Sequence, residues 1–338
     1  MAKRIEVVGG SCVYMGSAKA LLGDILPDKR VVVISDTNID RTHHDLIAPY
    51  EHIFIGQGEQ AKSLATLDTL YQQLIELGAD RHTFILGIGG GIVTDIAGFV
   101  ASTYMRGVEF GFVTTSLLGA VDASVGGKNG INVGGFKNMV GTFSQPQFVV
   151  CDASLLATLS VREFRAGVAE IIKTAILGDA ELFEILENNT FDTLRNDNEL
   201  LEDIITRCVR VKTEVVAEDE REGGRRRILN LGHTIAHAIE KSSNKMNHGE
   251  AVAVGLHHIT HSALAQKVIS EGDAKRIFAL IEQYGFDIEL PVERKQLLKA
   301  IEGDKKRRGD ALHVILPTAI GAVEDRVVTF EELHELLQ

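Results

Sequence analysis

The sequence has few cysteines, no excess of positive charge and no long hydrophobic run. Its three cysteines, Cys12, Cys151 and Cys208, lie far apart without a C-x-x-C spacing, which argues against a disulfide framework or a cysteine-rich zinc site and fits a reducing cytoplasm. The net charge of −12 gives no general affinity for nucleic acid or an anionic membrane surface. No segment reaches the ~18 apolar residues of a membrane span, and the N-terminus does not read as a targeting segment. We expect a soluble cytoplasmic protein with no nucleic acid and no membrane as partner.

The 338 residues, 45% of them hydrophobic, suffice for a large core and about two domains, although a single large α/β barrel also fits this length. The first half alternates β-branched runs with turns rich in Gly, Asp and Asn, which is typical of parallel strands joined by crossover helices. Strands are predicted at Val31–Ser35 and Thr83–Ile88, and a helix at Gln60–Leu77 with Gly78 as its C-cap. The pattern predicts an α/β domain over residues 1–150.

From about Cys151 the pattern changes to long segments with a 3.6-residue period, which predicts a mainly α-helical domain over residues 151–338. Capping signatures and periodicity place its elements. They are a helix capped by Ser160 that runs to Ile176, a helix over Asn198–Ala217, helices starting near Asn230 and His248, a short strand at Ala311–Pro317, and a terminal helix opened by Thr329 and Glu332.

Three consecutive glycines, Gly89–Gly91, follow the strand at 83–88 and precede a helical segment. At such a junction a phosphate can approach the backbone and the N–H groups of the helix N-terminus. The G-x-G-x-x-G dinucleotide pattern is not met, because Ile92 occupies its last position. A tight turn needing positive φ is the competing interpretation; we predict nucleotide binding.

The glycine-rich stretch Val121–Asn138 resembles a phosphate-binding P-loop only superficially. Asp122 stands where that motif needs glycine, and Asn129 follows Lys128 where it needs Ser or Thr. We expect a flexible polar loop carrying Asp122, Lys128, Lys137 and Asn138. It is either an ordinary surface loop or a grip on a polyhydroxy phosphate.

A metal site is predicted from two histidines and a carboxylate. His233 and His237 share a helix face at i, i+4, although Thr234 excludes the H-E-x-x-H zincin motif. His248 begins another apolar helix, and Glu170 lies among small apolar residues, where an ordinary ion pair with Lys173 is the alternative role. Together these residues supply a catalytic zinc site with one position open for substrate.

Two basic clusters interrupt the acidic chain. The first cluster is Arg225–Arg227. Its Arg226 lies seven residues before His233, so the guanidinium could bind a substrate carboxylate near the metal. The second, Lys305–Arg308, is equally well explained as a solvated face.

At this point the chain resembles the 3-dehydroquinate synthase family of sugar phosphate cyclases over nearly its whole length. The resemblance implies a Rossmann-like α/β NAD-binding domain, a mainly α-helical metal- and substrate-binding domain, and an active site in the cleft between them. The blocks that carry it are Gly89–Phe99, Val121–Lys128, Lys137–Gly141, Phe164–Lys173, Leu229–His233 and His248–Ala253.

The resemblance implies an enzyme that is a cytoplasmic homodimer of the shikimate pathway. It would convert a sugar phosphate substrate, 3-deoxy-D-arabino-heptulosonate 7-phosphate, into 3-dehydroquinate and phosphate. NAD would be reduced and reoxidised within each turnover, and Zn2+, or Co2+ with similar ligand preferences, would polarise the oxidised hydroxyl. The net reaction is that of a redox-neutral carbon–oxygen lyase.

The resemblance also assigns residues. It implies metal ligands Glu170, His233 and His248; catalytic groups Asp122, Lys128, Lys173 and His237, the last shuttling protons; substrate contacts Asn138, Lys212, Arg226, Asn230, Lys305 or Lys306, and Arg106, which would reach the neighbouring subunit's phosphate site; and NAD contacts Asp36, Asn38, Glu59, Lys62, Gly90, Gly91, Asp95, Thr115, Ser116, Lys137, Thr158, Leu159 and Glu163.

Two departures from the family pattern accompany these matches: Thr114–Leu118 replaces Pro-Thr-Thr-Leu-Leu, and Thr234-Ile-Ala precedes His237.

Three alternative functions stay open. Another sugar phosphate cyclase would use a substrate without a carboxylate, leaving the charge of Arg226 unbalanced in the site. A metal-dependent polyol dehydrogenase would accumulate NADH, and a non-catalytic NAD-binding protein would turn nothing over.

Overall fold

The computed structural model describes residues 3–308 and 312–336, without the side chains of residues 303–308. The chain divides into two compact units. One comprises the residues up to Phe164 together with Asn198–Glu220, and the other comprises Arg165–Asp197 and the residues from Arg221 onward. Among the described helices, none combines the length and the apolar character that crossing a bilayer requires. The functional division near residue 150 stays a prediction.

The first unit is built on strands, most of them parallel. These are β1 (Lys3–Glu6), β2 (Cys12–Met15), β3 (Val31–Asp36), β4 (Glu51–Ile55), β5 (Phe84–Gly89), β6 (Phe110–Thr114), β7 (Lys128–Val133), β8 (Phe136–Phe143) and β9 (Phe148–Cys151). Seven form one sheet in the order β1-β2-β9-β6-β5-β3-β4, in which only β1 runs antiparallel to its neighbour. β7 and β8 form a separate hairpin.

Helices join these strands and build the second unit. They are α1 (Ala18–Ile25), α2 (Thr37–Ile47), α3 (Leu64–Glu76), α4 (Gly91–Thr103), α5 (Val161–Gly178), α6 (Ala180–Glu187), α7 (Phe191–Asn196), α8 (Asn198–Glu218), α9 (His233–Ser242), α10 (His248–Ala265), α11 (Glu271–Gln283), α12 (Arg294–Arg308) and α13 (Phe330–Leu336).

The central strand β5 is buried on both faces, as expected of a parallel sheet covered by helices. On one face Phe84, Leu86 and Ile88 join the core formed with α1 and α2. On the other face Gly87 leaves room for α4, because a Cβ on Gly87 would lie 2.9 Å from the Cβ of Ala97. The predicted strands at 31–35 and 83–88 are therefore confirmed to within a residue.

The predicted helix at 60–77 begins late, at Leu64. Ser63 has extended backbone and its hydroxyl accepts from the Thr66 N–H, so it is the N-cap. The preceding Glu59–Ala61 forms a separate 3-10 turn. Gly78, at φ +68°, ends the helix as predicted, because this left-handed conformation suits glycine.

The expectation of a flexible polar loop over Val121–Asn138 is wrong. The segment begins in a π-helical turn at Gly119–Ala123 and continues as the β7–β8 hairpin. Gly134 and Gly135 connect the strands with φ of +61° and +80°, the positive values that a two-residue type I′ turn requires. The buried Asn129 docks β7 on α4 beside Gly98, where a Cβ would lie only 1.9 Å from its side-chain oxygen.

The second unit is mainly helical, as predicted, with one small antiparallel sheet of β10 (Leu312–Ala319) and β11 (Ala322–Val328). β10 extends the predicted strand, and β11 was not predicted. The helix expected near Asn230 begins at His233, because Gly232 at φ +77° separates it from a 3-10 turn at Arg225–Asn230. The capping box of α13 is confirmed: the Thr329 N–H donates to Glu332 Oε2 at 2.7 Å, and the Glu332 N–H to Thr329 Oγ1 at 3.2 Å.

Candidate active site

Three predicted metal ligands come together within the second unit. Ligand atoms of Glu170, His233 and His248 lie within 4.8 Å of one another. Glu170 Oε1 is 3.0 Å from His248 Nε2 and 3.6 Å from His233 Nε2. Glu170 is fully buried in α5, whereas the two histidines are the first residues of α9 and α10. Two imidazoles and one carboxylate match the donor set of a catalytic zinc site.

Close backbone packing holds the ligand-bearing helices in place. Gly249, the second residue of α10, lies against Ala166 of α5; a Cβ there would be 2.2 Å from the Ala166 carbonyl oxygen. Asn247 caps α10 through a reciprocal capping box with Glu250. Glycine and the cap together fix His248 opposite Glu170, which lies one turn beyond Ala166 on α5.

Charged neighbours tune this cluster. Lys173 Nζ lies 2.6 Å from Glu170 Oε2, so the ordinary ion pair and the metal-ligand geometry coexist. Burial, aided by the Lys173 ammonium, lowers the pKa of His233 to about 3, which leaves a neutral ring available as a ligand. Burial also disfavours the charged form of His248, but hydrogen bonds to Glu170 and Glu240 outweigh it and raise the pKa of His248 to about 10.

Other predicted residues of the second unit lie on the same elements. The His237 ring is one turn from His233 on α9, with ring centroids 5.3 Å apart. Arg226 is buried, 1% exposed, in the turn before α9. Asn230 Nδ2 donates to Glu222 Oε1 at 2.7 Å. The side chain of Lys305 lies outside the described residues.

Two acidic residues that contact predicted site residues were not predicted from the sequence. Glu222 holds Asn230, and Glu240 Oε1 lies 3.3 Å from His248 Nδ1. The spacing of Glu240 was an available signal, since it lies seven residues after His233 and therefore on the same face of α9 two turns later. No comparable signal identifies Glu222, which lies in a loop.

In the first unit, the glycine turn forms a helix N-terminus suited to a phosphate. β5 ends at Gly89 and α4 begins at Gly91. The N-cap residue is Gly90, so no capping side chain occupies the N-terminus of α4. A Cβ on Gly90 would lie 2.9 Å from Ser116 Oγ, so the backbone and this hydroxyl approach closely. Thr115 Oγ1 is buried without a hydrogen-bond partner among the described residues, which leaves it available to a ligand. These features fit a dinucleotide phosphate.

A buried lysine joins several predicted cofactor residues. Lys62, 5% exposed, donates to Asp95 Oδ2 at 2.5 Å and to Asn138 Oδ1 at 2.6 Å. Burial raises the pKa of Asp95, and the Lys62 ammonium opposes that shift. Glu59 accepts from Asn132 at 2.7 Å. Asn138, predicted to bind substrate, thus contacts a predicted NAD residue.

A second pair brings together α8 and the π-helical turn. Lys212 Nζ donates to the carboxylate of Asp122 and, at 2.6 Å, to the Asp122 backbone oxygen. Lys128 opens β7 and Lys137 is the second residue of β8, both exposed. The hairpin therefore carries the two predicted lysines on a defined scaffold.

The remaining predicted residues are placed less closely. Asp36 caps α2 by accepting from the Asn38 and Ile39 N–H groups. Thr158 Oγ1 lies 3.0 Å from His43 Nε2, Leu159 follows it, and the Glu163 N–H donates to Ser160 Oγ. Arg106 is exposed at φ +73°.

Several known proteins are similar to this chain in sequence and in fold. Family models described as "3-dehydroquinate synthase N-terminal" and "3-dehydroquinate synthase C-terminal" match residues 52–166 and 167–307. A 3-dehydroquinate synthase of Pelobacter propionicus is 43% identical over 84% of this chain and 80% of its own. The 2-epi-5-epi-valiolone synthase of Streptomyces hygroscopicus, solved with NAD+ and Zn2+, is 28% identical with a TM-score of 0.86, over 96% of this chain and 95% of its own. A 2-deoxy-scyllo-inosose synthase, solved with carbaglucose-6-phosphate, NAD+ and Co2+, is 26% identical with a TM-score of 0.88, over 100% and 99% of the two chains.

Proposed function

This chain belongs to the 3-dehydroquinate synthase family, and we propose that it converts 3-deoxy-D-arabino-heptulosonate 7-phosphate into 3-dehydroquinate and phosphate, a step of the shikimate pathway. The observation that carries the proposal is the convergence of Glu170, His233 and His248 in a chain that matches both family models in order. Several named synthases of this family are 38–43% identical to the chain, whereas the solved valiolone and inosose synthases are 28% and 26% identical.

We assign NAD to the first unit and zinc, or cobalt, to the second. When bound, NAD takes up and returns a hydride, and the metal ion polarises the hydroxyl that is oxidised. Gly90 and Gly91 would place backbone N–H groups at the cofactor phosphates. The pair of Lys62 and Asp95 would hold polar groups of the same cofactor.

Charged side chains of this chain would bind the substrate. A buried guanidinium such as Arg226 suits a carboxylate, because it offers a planar fork of donors. Asp122, paired with Lys212, would hold substrate hydroxyls, and Lys128 a phosphate oxygen. His237, next to His233, is the proposed proton shuttle, since imidazole exchanges protons near neutral pH.

We also propose a cytoplasmic homodimer. The three cysteines of the chain are buried and lie far apart in the sequence, which suits a reducing compartment. Met105 and Arg106 adopt consecutive positive φ values and are exposed, a strained conformation that typically marks a functional surface. Ser102 Oγ lies 2.8 Å from Thr142 Oγ1, and β8, which carries Thr142, also carries the exposed apolar side chains Met139, Val140 and Phe143. Arg106 of the partner subunit would then complete the phosphate site, and sedimentation of wild type against Phe143→Asp tests the interface.

The deciding experiment is a coupled product measurement. The purified protein is incubated with 3-deoxy-D-arabino-heptulosonate 7-phosphate, catalytic NAD and zinc, and phosphate and 3-dehydroquinate are quantified together. We expect equal amounts of both products, no accumulated NADH and complete loss of turnover with a chelator. The His233→Ala variant should be inactive and bind metal weakly.

Each alternative gives a different outcome. If the protein releases phosphate from a carboxylate-free sugar phosphate and not from 3-deoxy-D-arabino-heptulosonate 7-phosphate, it is a valiolone- or inosose-type cyclase. Net NADH from a polyol would indicate a dehydrogenase, because that reaction has no internal return of hydride. No turnover of any of these by a folded, metal-loaded protein would refute the proposed enzyme.

A further inference from the structure

Glu240 is an acidic residue of α9 directed at the candidate metal site, although it is not one of its three ligands. Its side chain is 6% exposed, and its Oε1 lies 3.3 Å from His248 Nδ1. The opposite nitrogen of the same ring, Nε2, lies 3.0 Å from Glu170 Oε1. The His248 ring is therefore held between two carboxylates, one on each side.

This arrangement matters because a neutral imidazole has one protonated and one unprotonated nitrogen. An acceptor at Nδ1 keeps the proton there, so that the lone pair of Nε2 is directed at a metal. A carboxylate in that position also fixes the ring orientation and raises the basicity of the ligand. We propose that Glu240 is the positioning residue that fixes the tautomer and orientation of His248 for metal binding, a proposal that rests on the metal site of the proposed function.

His233 and His248 differ in the group that contacts Nδ1, the ring nitrogen opposite the one that faces Glu170. His233 Nδ1 lies 3.1 Å from the backbone oxygen of Leu231, a neutral acceptor that no side-chain substitution removes. His248 uses the carboxylate of Glu240 instead. With Glu170 paired to Lys173, Glu240 adds a second negative charge near the proposed dication, so its loss should weaken metal binding through both charge and geometry.

The test measures metal affinity without any substrate. Metal-free wild type, Glu240→Gln and Glu240→Ala are titrated with zinc against a chromophoric chelator, and with cobalt by its visible absorption. Glutamine keeps an oxygen acceptor but loses the charge, whereas alanine loses both. Outer acceptors of this kind typically contribute 10–100-fold to metal affinity, so we expect losses of about tenfold for Glu240→Gln and about 100-fold for Glu240→Ala, with an altered cobalt spectrum.

Glu250→Gln is the matched control. It makes the same chemical change at the N3 position of α10, two residues after His248. A capping box accepts glutamine as well as glutamate at N3. Its zinc affinity should stay within about twofold of wild type, and urea denaturation of each metal-free variant should show an intact fold.

Zinc affinity of a folded Glu240→Ala within about twofold of wild type would overturn the proposal. Should that variant fail to fold, Glu240→Gln decides, because unchanged affinity there would show that His248 does not depend on the carboxylate of Glu240. An equal loss in Glu250→Gln would also overturn it, because the effect would then be general to the start of α10. The proposed reaction can fail independently, since none of these titrations contains a sugar phosphate. If the assignment of the metal site is wrong, His233→Ala should bind zinc with the affinity of the wild type.

Discussion

Gly249→Ala tests whether close packing of α10 on α5 sets the geometry of the metal ligands. The added Cβ would lie 2.2 Å from the Ala166 carbonyl oxygen and 2.3 Å from its Cα, whereas real contacts do not fall below 3.0 Å. Because both obstacles are backbone atoms, no rotamer change relieves the clash. The first turn of α10 must therefore move by about 0.8 Å.

The stability loss follows from two opposing effects. Replacing a helical glycine with alanine gains up to about 1 kcal/mol of helix propensity. Overpacking typically costs about 1–3 kcal/mol, and the upper end of that range applies here because both obstacles are backbone atoms. We expect a net loss of about 2 kcal/mol in the free energy of unfolding, measured by urea denaturation of the metal-free protein. Gly272→Ala is the control: a Cβ added to this exposed glycine of α11 would come no closer than 3.7 Å to Ser270 Oγ, an ordinary contact, so the variant should gain up to about 1 kcal/mol.

The same displacement should weaken metal binding. Ligand distances in metal sites hold to about 0.2 Å, and the required shift exceeds this tolerance for His248 relative to Glu170. We expect zinc affinity to fall more than about tenfold in Gly249→Ala and to stay unchanged in Gly272→Ala. If both variants were equally stable and bound zinc like wild type, the argument that backbone contact fixes this site would be wrong.

Three further predictions follow from the described residues. Lys62→Met removes the cation bonded to the partly buried Asp95 and leaves that carboxylate unpaired in the proposed cofactor site. NAD affinity measured by calorimetry should therefore fall at least about tenfold; an unchanged affinity would contradict the assigned cofactor site. Gly135→Val places a β-branched residue at φ +80°, so urea denaturation should show a loss of about 1–2 kcal/mol, and an unaltered midpoint would refute the type I′ turn. Burial and neighbouring histidine rings lower the pKa of His257 to about 4; the unfolded chain therefore takes up this proton first as pH falls from about 6.5 to 4, and stability declines. His257→Leu should show a shallower decline between pH 7 and 5, and a slope equal to that of wild type would exclude this group.

The sequence predicted the parts of this protein that local chemistry determines. β-branched runs placed β3 and β5, and a Thr329–Glu332 pattern placed the cap of α13, because these signals act within a few residues. Glu170, His233 and His248 were also singled out as the predicted metal ligands, because imidazole and carboxylate groups are the donors of such sites. Their convergence depends on tertiary packing, as at Gly249, and only the structure shows it.

The hairpin was missed because its composition hid its period. Glycines and lysines break the alternation of β7 and β8, although the Gly134-Gly135 pair between Val133 and Phe136 was an available turn signal. Long-range contacts gave no local signal at all. Lys62 meets Asn138 only once the hairpin packs against the rest of the first unit. Glu222 meets Asn230 through a loop conformation with Glu222 at φ +61°.

Helix α8 has a consequence for how the protein is made. It belongs to the first unit, although residues 165–197, which precede it, belong to the second. It contacts β1, β2 and the turn at Gly119–Ala123, and it buries Leu201, Ile204 and Val209. A nascent chain that has just completed β9 therefore still exposes the apolar surface that α8 will cover, until Glu220 has left the ribosome. During that interval the growing polypeptide is a natural client for chaperones, and a gene split between Phe164 and Arg165 would make the cover of this surface depend on association with the second fragment.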